Sequence, residues 1–84
     1  MRIEGLSEKV VVGAVFGSGN QVRPAWFIWN GRKYTVKETT YTWTERCGTE
    51  MLYHFAVSDG ADLFELVLNN TSLAWTLEKV EYRA

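Results

Sequence analysis

The stretch Pro24-Ala25-Trp26-Phe27-Ile28-Trp29-Asn30-Gly31-Arg32-Lys33-Tyr34 decides how this chain folds. Asn30-Gly31 is the pair that a type I′ two-residue hairpin turn needs, because both residues tolerate positive φ. Such a turn sets Trp29 opposite Arg32, Ile28 opposite Lys33, Phe27 opposite Tyr34, Trp26 opposite Thr35 and Ala25 opposite Val36. Side chains alternate along a strand, so Trp26 and Trp29 point to opposite sides. Phe27, Tyr34, Ala25, Val36 and Trp29 share one face, and Trp26 and Ile28 share the other with Lys33 and Thr35. One of these tryptophans can fill a core, which leaves a surplus aromatic face to account for.

Working outward, Lys9–Phe16 is rich in β-branched residues and runs into Gly17-Ser18-Gly19-Asn20, a strand followed by a loop. Asp59-Gly60 predicts a second two-residue hairpin, with Phe55 opposite Phe64, Tyr53 opposite Leu66, Met51 opposite Leu68 and, behind them, His54 opposite Glu65. A loop at Asn69-Asn70-Thr71-Ser72 would place Leu68 against Leu73, Leu66 against Trp75 and Phe64 against Leu77. A loop at Cys47-Gly48-Thr49 would place Trp43 against Tyr53 and Tyr41 against Phe55. Tyr41, Trp43, Met51, Tyr53, Phe55, Phe64, Leu66, Leu68, Leu73, Trp75 and Leu77 then form one core face. Segment 72–82 reads as a strand, although Leu73, Leu77 and Val80 also fit helical spacing.

The strand after Gly31 carries a conflict. Tyr34 and Val36 are even-numbered and Tyr41 and Trp43 odd-numbered, so a regular strand would point the two pairs to opposite faces. Either a bulge near residues 37–40 resets the phase and leaves Trp26 and Ile28 outside, or Phe27, Trp29 and Tyr34 lie behind the main core. In both cases the surplus face needs a cover: the 9–16 strand with the N-terminal arm, a second copy, or a ligand. The expected fold is all-β, a single antiparallel meander of about six strands over residues 1–84, strongly coiled or closing toward a small, partly closed barrel.

With 84 residues the chain is one domain, near the size at which folding removes only about 60% of the unfolded surface from water. One cysteine cannot form an internal disulfide, and one cysteine with one histidine cannot complete a four-ligand zinc site. The 12 aromatic residues, four each of Trp, Tyr and Phe, must supply much of the core. No stretch approaches the roughly 18 apolar residues of a membrane span, and the start lacks a signal-peptide run. With the lone thiol, this predicts a cytoplasmic setting and no membrane partner.

Enzyme chemistry finds little to work with. Cys47 is expected at a hairpin tip, five residues down the strand from the level of His54, which rules out a thiolate–imidazole dyad. The carboxylates are scattered, without glycosidase or metal-site spacing, and Gly17-Ser18-Gly19-Asn20 lacks the Lys-Ser/Thr of a phosphate loop. No catalytic residue, metal or cofactor is expected. The candidate binding residues are Arg23, Trp26, Ile28, Trp29, Arg32 and Lys33. They read first as an interface for homodimerisation. The alternative is single-stranded nucleic acid, since cations interleave with aromatics here, although a net charge of −1 disfavours it. Trp29 opposite Arg32 could equally form a local cation–π contact.

The pattern Arg23-Pro24-x-x-Phe27-x-Trp29-x-Gly31-Arg32-x-Tyr34-x-Val36, with Thr42-Trp43 and Tyr53-His54-Phe55-x-Val57, resembles an uncharacterised family of small bacterial proteins, a domain of unknown function that shares this hairpin. The resemblance covers most of the chain from residue 10 onward. It implies a bacterial cytosolic β domain and brings no activity, cofactor or catalytic residue with it.

Overall fold

The computed structural model describes residues 2–19 and 21–83. Its elements are all strands: β1 Arg2–Lys9, β2 Val11–Phe16, β3 Val22–Trp29, β4 Arg32–Thr35, β5 Glu38–Cys47, β6 Glu50–Ser58, β7 Leu63–Asn69 and β8 Trp75–Tyr82. They make two antiparallel sheets, β1-β8-β7-β6-β5 and β2-β3-β4. The all-β reading holds, and segment 72–82 supplies a strand rather than a helix. The single six-stranded meander does not: the described residues form eight strands in two sheets, and these do not close into a barrel. Asn20, the end of the predicted 17–20 loop, lies outside the described residues.

Two corners cause the difference. At the first, the chain leaves β1, which pairs with β8, and enters β2, which pairs with β3; between them the Val10 N–H donates to the Trp75 carbonyl at 3.2 Å. At the second, the Val36 N–H still donates to the Ala25 carbonyl of the three-stranded sheet at 2.9 Å. The next N–H, of Lys37, donates to Ser58 of the five-stranded sheet at 2.7 Å. The expected strand after Gly31 is thus divided between two sheets as β4 and β5, and the N-terminal arm becomes an edge strand of the five-stranded sheet instead of a cover.

The Asn30-Gly31 turn forms as its residues require, with φ of 53° and 75°, and all four β3–β4 pairs follow the predicted register. The other hairpins differ. At Asp59 the loop is four residues long, because Asp59 Oδ1 accepts from the N–H groups of Ala61 and Asp62 at 2.9 and 2.8 Å. This moves the β6–β7 pairing by two residues, to Phe55 opposite Leu66 and Tyr53 opposite Leu68. A shift of two preserves the faces, so Phe55, Phe64, Leu66 and Leu68 are buried as expected. Asn69 organises the next loop similarly, its Oδ1 accepting from Thr71 and Ser72 N–H. Leu73 takes a left-handed φ of 61° and is 68% exposed, outside the core in which the pattern had placed it.

The β5–β6 connection overturns more. Its loop is Gly48-Thr49, so Arg46 faces Met51 and Trp43 faces His54, one residue out from the expected register. A one-residue slip exchanges faces. Tyr41 and Trp43 leave the core for the outer surface of the five-stranded sheet, and Thr42 and Thr44 lie opposite Phe55 and Tyr53 instead. A bulge does occur at Thr40, whose hydroxyl donates to the Ala56 carbonyl at 3.1 Å.

Between the sheets lies a core of Phe27, Phe55, Val57, Phe64, Leu66, Leu68, Leu77 and Val80. Phe27 is fully buried and joins the layers, stacked on Tyr34 at 5.0 Å and edge-on to Phe64 at 5.0 Å. The hairpin face carrying Phe27, Tyr34, Trp29 and Val36 therefore packs inward, and Trp26 and Ile28 face out.

Candidate interaction surface

On the outer face of the three-stranded sheet, Val11 lies opposite Ile28, Gly13 opposite Trp26 and Val15 opposite Arg23. On the other side of β3, Ile28 meets Lys33 and Trp26 meets Thr35. Three apolar side chains here stand open to water: Val11 is 60% exposed, Val15 46% and Ile28 38%. Trp26 is half-buried without a covering segment, because its indole lies across Gly13. A Cβ at Gly13 would collide with the indole ring. The Lys33 ammonium sits over the indole at 5.1 Å.

The six expected binding residues divide between two places. Arg23, Trp26, Ile28 and Lys33 share the outer face. Trp29 turns inward, packs 6.1 Å from Tyr34 and donates its Nε1–H to Glu8 Oε1 at 3.3 Å, which ties the hairpin to β1. Arg32 covers Tyr34 at 5.0 Å rather than its cross-strand neighbour Trp29. Sequence reasoning missed Val11, Val15 and Gly13 as parts of this surface. The signal for Gly13 was present, a lone glycine inside a β-branched run, which marks close approach of another group.

On the opposite side of the molecule, the outer face of the five-stranded sheet carries the only histidine. His54 lies diagonally from Glu65 rather than directly opposite, and its Nδ1 meets Glu65 Oε2 at 3.1 Å. Its Nε2 meets Glu45 Oε1 at 3.0 Å, and its ring stacks on Trp43 at 4.8 Å. Both nitrogens are engaged and the residue is only 9% exposed, so the ring is a fixed polar tie with no nitrogen left to reach a substrate. The two carboxylates thus hold the two nitrogens of one imidazole.

Comparison of the chain with protein-family models, curated proteins and solved structures finds no match.

An open cleft of about 940 Å³ lies between the β2–β3 hairpin end and β5–β6, with Phe16, Arg23, Thr39, Thr42, Tyr53 and Asn70 in its lining. Thr39 Oγ1 is buried there without a hydrogen-bond partner. The hydroxyl-bearing floor follows from the one-residue slip that turned Thr42 and Thr44 inward. Among the described residues no helix is long and apolar enough to cross a membrane.

Proposed function

We propose that the protein is a non-catalytic interaction module that homodimerises through the outer face of its three-stranded sheet. The observation that carries this reading is the exposure of Val11, Val15 and Ile28 around a half-buried Trp26 on one sheet face. Scattered apolar residues are ordinary on a surface, whereas a contiguous group marks a contact site. Each Å² of that group removed from water favours association by about 25 cal/mol, less the cost of lost motional freedom. Trp26→Ser combined with Ile28→Thr should shift the protein toward monomer in sedimentation equilibrium while the far-ultraviolet dichroism stays that of a β protein. A wild-type chain monomeric at the highest accessible concentration would contradict the reading.

One observation favours a second reading, single-stranded nucleic acid on the same face. Lys33 over Trp26, with Arg23 nearby, is the combination that stacks a base and meets a phosphate. Tryptophan fluorescence should then be quenched by oligonucleotides at low salt and recover as salt is raised. Absence of quenching at low salt removes this alternative.

A further inference from the structure

We infer that the second copy is met head to tail: the outer face of the three-stranded sheet docks on the outer face of the five-stranded sheet of the next molecule. This rests on the self-association proposed above and adds what the exposed face touches. Charge is segregated between the two layers. Residues 10–37, which hold all of β2, β3 and β4, contain four of the nine Lys and Arg residues (Arg23, Arg32, Lys33 and Lys37) and none of the ten Asp and Glu. The rest of the chain therefore holds five cations against ten acids. If two copies met through the same basic face, Arg23 and Lys33 would gather with no acid within the sheet to offset them, a like-charge arrangement that association disfavours.

The other face of the molecule offers what the basic face lacks. It carries a shallow depression of about 370 Å³ lined in part by Glu45, Glu50, Leu52, Thr76 and Glu78. Glu45 keeps 58% of its side chain open while holding His54. Beside it stands an apolar margin, with Tyr41 67% exposed and 5.5 Å from Trp43. Each face thus pairs apolar surface with an excess of one sign of charge, and the signs are opposite; the acidic face also carries Lys79, which is held by Glu65 at 3.8 Å. Lys33, presented above Trp26, is the basic group assigned to the acidic depression in this contact. A contact between two different patches leaves one of each free at the ends, so it continues into a ring or a filament and the dimer is its first step.

The test is complementation. One variant, Trp26→Ser with Ile28→Thr, loses the basic apolar face; the other, Glu50→Lys with Glu78→Lys, reverses the acidic one. Each should be monomeric alone, and their mixture should form a one-to-one complex that grows no further, read by sedimentation velocity. Wild-type association should weaken from low to molar salt. Glu50→Gln with Glu78→Gln, which removes charge without reversing it, should weaken association less and guards against misfolding of the lysine variant. If the acidic-face variants associate as wild type does and the mixture gives no hetero-complex, the head-to-tail contact is wrong and same-face dimerisation stands. If wild type does not associate at all, both ideas fall.

Discussion

At the scale of single residues, two side chains carry most of the explanation. Phe27 is the aromatic that joins the layers, fully buried between Tyr34 and Phe64. Phe27→Ala should cost about 3–5 kcal/mol, a large share of the stability of so small a domain. A denaturant midpoint that moves by less than about 1 kcal/mol equivalent would show that the sheets do not pack through it. Trp26 is seated by the absence of a side chain at Gly13. Gly13→Ala should therefore lift the indole toward solvent, seen as a red-shifted tryptophan emission and a loss of about 1–3 kcal/mol. An unchanged spectrum would place the indole elsewhere. The direction of Trp26 was legible, since the Asn30-Gly31 register alone turns it away from Phe27; its seat was not, because that depends on β2 lying beside β3.

At the scale of elements, turn chemistry was read correctly at Asn30-Gly31 and incorrectly at the other three hairpin loops, two of which are set by a side chain. Asn30 and Gly31 both adopt positive φ, and the predicted pairs follow. Asp59 and Asn69 each use a side-chain oxygen to hold two backbone N–H groups, which lengthens their loops beyond the counts that the sequence suggests. The Gly48-Thr49 loop is one residue shorter than expected, and that difference moved Tyr41 and Trp43 from core to surface. Gly31→Val should lower the melting temperature, because a β-branched residue resists the φ of 75°, and Gly60→Val should do so for the φ of 100°. Unchanged melting of both would undermine the hairpin assignments. Asp59→Ala should cost about 1–2 kcal/mol through the two hydrogen bonds from backbone N–H groups that it removes, measurable by chemical denaturation.

At the scale of the whole molecule, the surplus aromatic face of the sequence resolves into a two-layer arrangement in which the layer of residues 10–37 holds four cations and no acid and the remainder of the chain holds five cations and ten acids. Periodicity signalled a break near residues 37–40, where Tyr34 and Val36 fall out of phase with Tyr41 and Trp43, but not that the chain changes sheets there or at Val10, because that depends on which distant strand each backbone meets. The central claim is that the outer face of β2, β3 and β4 is a contact surface. Amide chemical shifts of ¹⁵N-labelled protein, followed over a dilution series, test it residue by residue. The account predicts concentration-dependent shifts at Val11, Gly13, Val15, Trp26, Ile28 and Lys33, joined under head-to-tail contact by Tyr41, Glu50 and Glu78. Spectra that superimpose at every concentration, or changes confined to residues outside these faces, would contradict it.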